Sequence, residues 1–154
     1  MKKYPNYTWL NHEGLAFCDI EYKGLIFSGT ARCHPEDRDM MSKLTGETIA
    51  EFRATIKYLK FIRDFELRPQ LKSLKQLYYS MNTSKHFDST SYEAKMLYRQ
   101  INLLEEDIKE IQLSIKTTKE DLKLYLQTKE KDHATLREFI AKRELVENNQ
   151  NTCE

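Results

Sequence analysis

The sequence predicts an α+β fold, a small N-terminal antiparallel β-hairpin or sheet followed by two long antiparallel α-helices, in an oligomeric assembly. Three observations predict it. Apolar residues alternate on both sides of Lys23-Gly24, they recur at three-and-four spacing from Ile49 onward, and the two helical stretches differ greatly in length.

The hairpin occupies residues 15–33. With Lys23-Gly24 as a two-residue turn, Tyr22 faces Leu25, Ile20 faces Phe27, Cys18 faces Gly29 and Ala16 faces Ala31, giving one continuous apolar face. The other face carries Asp19, Glu21, Ser28, Thr30 and Arg32. A lone hairpin is marginal in water, so Tyr7, Trp9 and Leu10 are expected to add a third strand or a covering flap. His34-Pro35-Glu36-Asp37 ends the strand, because proline cannot donate to a ladder.

Thr45 is the expected N-cap of a first helix over 45–82, with Ile49, Phe52, Ile56, Leu59 and Phe65 on its apolar stripe. Pro69 should kink or briefly break that helix, since a proline in a helix interior costs about 3 kcal/mol. Asn82 to Ser89 supplies turn chemistry, and Thr90 with Glu93 forms a capping-box pattern for a second helix over 90–145. In that helix Leu97, Ile101, Leu104, Ile108, Ile111, Ile115, Thr118 and Leu122 form a coiled-coil-like seam. Residues 1–146 then make one domain, and 147–154 a disordered polar tail. At 1.5 Å per residue the second helix is about 80 Å long and the first about 50 Å. The surplus, with Leu136, Phe139 and Ile140, needs a partner, so self-association is expected.

Composition narrows the function. With 25 basic and 24 acidic side chains there is no whole-molecule footprint for DNA or RNA. The charge is uneven, 14 basic against 10 acidic over residues 1–87, so an anionic ligand favours that half. No run approaches the ~20 apolar residues of a membrane span, and Glu105, Glu106, Asp107 and Glu110 deny the second helix a basic membrane-surface face. Met1-Lys2-Lys3 leads into Tyr4-Pro5-Asn6-Tyr7 rather than an apolar stretch, from which a reducing cytosol is expected for Cys18, Cys33 and Cys153. Cys33-His34 lacks zinc-site spacing, so no metal is expected. His34, Glu36, Asp37 and Asp39 could serve acid–base chemistry, yet they are also ordinary turn residues with no nucleophile or glycine fingerprint beside them, so no catalytic residue and no cofactor are expected.

Arginine suits phosphate oxygens through its planar fork, which singles out Arg32, Arg53, Arg63 and Arg99. A salt bridge within the chain or at an interface is the alternative for each. Phe87, Tyr92 and Tyr98, near the turn between the helices, are available for stacking.

The stretch G-T-A-R-C-H-P-E-D from Gly29, followed by the helix start G-x-x-I-A-x-x-R-A over 46–54 and a long helical pair, resembles small phage proteins of the first Thoeris anti-defence family. The order of elements matches over nearly the whole chain, with the local signature in Gly29 to Ala54. The resemblance implies a sponge that binds a glycosyl-cyclised ADP-ribose, made by a bacterial TIR-domain protein, without cleaving it, in the cytoplasm of the infected host. It also implies homodimers with ligand pockets near the subunit interface, assembled into hexamers whose additional sites hold cyclic oligonucleotides. Within the matching segment, Arg32 and Arg53 would face the phosphates. Chemistry adds Arg99 for phosphate, Phe87, Tyr92 or Tyr98 for adenine, and Asn102 one turn beyond Tyr98 for the sugars. Sequestering a sub-micromolar signal takes a nanomolar site, about -12 kcal/mol, hence a closed pocket completed by a second subunit. The alternative is a structural or adaptor coiled-coil phage protein without a small-molecule ligand.

Overall fold

The computed structural model describes residues 5–10, 13–34 and 42–151. Strands β1 (Asn6–Leu10), β2 (Leu15–Tyr22) and β3 (Leu25–Arg32) form an antiparallel sheet in the order β1-β2-β3. The expected register holds throughout the hairpin, with Cys18 opposite Gly29 and Ala16 opposite Ala31. Lys23 and Gly24 both take positive φ, +50° and +76°, as a primed hairpin turn requires. Tyr7, Trp9 and Leu10 do lie on a third strand, paired with β2.

The apolar face of the sheet receives α1 (Lys43–Phe61). Ala16, Cys18, Ile20 and Ala31 are buried against Ala50 and Ala54, so the contact is made by small side chains and the backbones come close together. Gly29 is where they meet: a Cβ there would overlap the Ala50 carbonyl oxygen and approach the Ala54 nitrogen to 2.5 Å. Burial pushes the Cys18 thiol up to about 11, which keeps it protonated and inert. At the other end of this interface Tyr58 meets Tyr22 and Phe27 edge-on, and Phe27 also packs on Phe61 at 5.1 Å between ring centroids.

The first predicted helix is in fact two α-helices joined by a π-helical segment, Ile62–Leu67, with α2 spanning Arg68–Asn82. Pro69 sits in the first turn of α2, where a missing N–H costs little. The wider preceding turn, in which the Arg68 N–H reaches back to the Arg63 carbonyl, accommodates a ring that would press on the carbonyl four residues earlier in an ordinary helix. The π segment also holds the hairpin tip, since the Tyr22 hydroxyl (2.8 Å) and the Lys23 ammonium (2.7 Å) both donate to the Glu66 carboxylate. Arg63 takes the intramolecular alternative, pairing with Asp64 and holding its carboxyl below the usual carboxylate range.

Two predicted caps move. Ser42, not Thr45, caps α1 and accepts from the Thr45 N–H at 3.3 Å. Before α3 (Tyr92–Asn151) the Asp88 carboxylate accepts from both the N–H and the hydroxyl of Thr90, while Ser91 accepts from the Ala94 N–H in place of the expected Thr90–Glu93 box. In both places a serine hydroxyl accepts from the amide three residues on, the usual N-cap arrangement.

Helix α3 runs back along α2 and α1: Tyr98 packs by Tyr78, Lys75 pairs with Glu105, and Tyr125 meets Phe52. Ile101, Ile108 and Ile115 of the seam are buried. The helix does not stop at Leu145 but continues through Asn151, about 90 Å in all. Its last part passes the N-terminus of α1 and the end of the sheet, leaving Leu136, Phe139 and Ile140 exposed. Among the described residues, no helix is long and apolar enough to cross a membrane.

Candidate functional site

Where α3 passes the end of the sheet, a cavity of about 310 Å³ opens between three elements. From the sheet come Trp9 of β1, Ala31 and Arg32 at the end of β3, and Cys33 and His34 just beyond. The N-cap and first two turns of α1 contribute Ser42, Thr45, Gly46 and Ile49, and α3 contributes Leu126, Lys129, Glu130, His133 and Arg137. Trp9, Ala31, Ile49 and Leu126 form an apolar part; Arg32, Lys129 and Arg137 bring positive charge, against one carboxylate, Glu130. Lys129 is held by Asp132 at 3.8 Å and lies 5.6 Å from the Tyr125 ring centre. An apolar wall with a few convergent polar groups is the usual construction of a small-molecule pocket, and the volume falls at the small end of the usual range, roughly 300–1,000 Å³.

The site residues expected from the sequence divide among three places. Arg32 lines the cavity. Arg53 does not: its Nη1 donates to the Thr30 carbonyl at 2.5 Å, and one turn on, Lys57 donates to the Ser28 carbonyl at 2.6 Å. The reason lies in the sheet order. β3 is an edge strand, and with the Cys33 N–H bonded to the Gly14 carbonyl, alternate residues pair inward while the carbonyls of Thr30 and Ser28 face out. Arg53 and Lys57 cover that edge with charge, a common protection against pairing with another chain.

This gives an expected outcome. Arg53→Ala with Lys57→Ala should cost about 1–3 kcal/mol, less than the full value of two charged hydrogen bonds because both are exposed to solvent, and should raise concentration-dependent association by the uncovered edge. Urea denaturation and sedimentation measure the two effects.

The remaining candidates lie at the far end. Phe87 and Tyr98 both pack on Tyr78, at 6.0 and 6.1 Å between centroids, which is structural packing around the turn. Tyr92 is 74% exposed, and Arg99 and Asn102 stand about two and three turns beyond it. From Asn102 to Lys129 the helix climbs about 40 Å, so within one chain this group and Arg32 share no pocket.

Trp9, Lys129, His133 and Arg137 were missed. A signal existed on α3: the seam that reads Leu122 and Leu126 continues with Lys129 and His133 where further apolar residues would be expected. Such an interruption marks the point where the helix leaves its packing partner. Pro35, Glu36, Asp37, Asp39 and Cys153, named in the acid–base, turn and cysteine readings, lie outside the described residues. Among the described residues no cluster of His, Cys, Asp and Glu could hold a metal ion.

No protein-family model, curated protein or solved structure matches this chain.

Proposed function

We propose that the chain is a non-enzymatic binding protein that takes an anionic nucleotide signal of the cyclic ADP-ribose type into the cavity at the sheet end and withholds it from its effector. The observation that carries this reading is the convergence of Arg32 from β3 with Lys129 and Arg137 from α3 around a cavity that also holds the indole of Trp9. Paired phosphates call for such cations, and an adenine calls for an apolar or aromatic wall. The resemblance to phage Thoeris anti-defence sponges supplies the biological setting, the cytoplasm of an infected bacterium, and the expectation of homodimers built into hexamers that also hold cyclic oligonucleotides. The exposed Leu136, Phe139 and Ile140 just beyond the cavity support a second copy closing over it.

The site proposed here replaces much of the one expected from the sequence. Arg32 stays as a phosphate-facing group, Arg53 becomes an edge guard, and the far-end set of Phe87, Tyr92, Tyr98, Arg99 and Asn102 is left for a separate surface.

The test is to saturate the protein with the product of a TIR-domain enzyme, remove free ligand and heat-denature the complex. The expected result is release of the unchanged molecule. A cleaved product would overturn sequestration in favour of catalysis. Failure to retain any ligand would favour the second reading, a structural or adaptor coiled coil, for which the exposed apolar residues of distal α3 are the supporting observation.

A further inference from the structure

We infer that Trp9 is the platform on which the ligand's base stacks, so that the cavity selects nucleotides over phosphates lacking an aromatic base. The inference rests on the reading above that an anionic nucleotide enters this cavity. Trp9 is fixed from behind: it pairs with Ala16 across β1 and β2 and packs against the buried core. Gly46, in the first turn of α1, lets the ring sit close, since a Cβ there would lie 3.0 Å from Trp9 Cζ3 and 2.9 Å from the Ala16 Cβ. The ring is therefore held in place while part of it lines the cavity.

Among the described residues no second aromatic ring covers Trp9, and its indole N–H donates to no acceptor. Ile49 and Leu126 extend the apolar wall, and the charged groups Arg32 and Lys129 come from β3 and α3 rather than from the strand that carries Trp9. The cavity thus offers one planar apolar surface and a separate cationic part, the pattern of a nucleotide rather than of a sugar phosphate. Stacking accepts any base, so Trp9 sets the class of ligand and leaves the choice of base to other groups.

Trp9 is the chain's only tryptophan, so tryptophan-selective fluorescence reports this cavity alone. ADP-ribose, ribose 5-phosphate and inorganic pyrophosphate serve as probes, with calorimetry run in parallel. The expected result is that ADP-ribose quenches Trp9 and the two base-free probes do not. Trp9→Leu should weaken ADP-ribose roughly 10- to 100-fold, whereas Trp9→Phe should retain most of the affinity. Pyrophosphate binding should change less than about twofold in either variant. Calorimetric binding of ADP-ribose with unchanged emission, or with equal affinity in a folded Trp9→Leu protein, would overturn the stacking role and leave the binding-protein reading intact. Absence of binding by every probe and by the TIR product would overturn both.

Discussion

Gly29→Ala is expected to destabilise the protein by about 3–5 kcal/mol, a large share of the 5–15 kcal/mol that usually holds a domain together. The cost comes from one methyl group directed at backbone. Its Cβ would overlap the Ala50 carbonyl oxygen and press on the Ala54 nitrogen, atoms that cannot rotate aside as a side chain can. Relief requires α1 to lift from the sheet, which opens the contacts of Ala16, Cys18 and Ala31 with Ala50 and Ala54 together. Gly24→Ala is the internal comparison: a Cβ there faces no atom within 4 Å, and its φ of +76° leaves a backbone strain of about 1–3 kcal/mol without any clash. Urea midpoints for the two variants measure the difference. Equal midpoints would show that the helix does not rest on the strand at Gly29.

The second large effect concerns binding. Arg32→Glu combined with Lys129→Glu is expected to weaken an anionic nucleotide at least about 100-fold, because each charge-assisted hydrogen bond contributes about 1.5–3 kcal/mol and each reversal adds repulsion. Arg32 lies at an exposed strand end and Lys129 on α3, so neither change touches the buried core and the melting temperature should move little. Rising ionic strength should weaken the wild-type complex and have less influence on the variant. Arg99→Glu serves as the control at the far end. If it abolished binding while the Arg32 and Lys129 pair did not, the ligand would belong to the surface around Tyr98 and Asn102 instead.

The hairpin was legible because its information is local. Lys23-Gly24 sets the turn, and the alternation of Ala16, Cys18 and Ile20 against Phe27, Gly29 and Ala31 admits one register. The π-helical segment was not, since a backbone bond to the fifth residue back leaves no residue pattern of its own; Pro69 marked the place without revealing the device. Arg53 looked available in the sequence because the carbonyls it covers become free only once β3 is known to be an edge. The α3 side of the cavity was legible only as a break in the seam, for a related reason. Lys129 and His133 fall on the face that reads as packing, and only the antiparallel course of α3 shows that the sheet end, not another apolar helix, lies opposite them.

The π segment also links parts of the molecule that are distant in sequence. One residue more in the turn than an α-helix would hold shifts the side-chain pattern of α2 by about 100° from where an unbroken α-helix would put it. Glu66, in that same turn, holds Tyr22 and Lys23 at the hairpin tip. The turn that sets the direction of α2 is thus also the one that anchors the hairpin tip, alongside the ring contacts of Tyr22 and Phe27 with Tyr58 and Phe61.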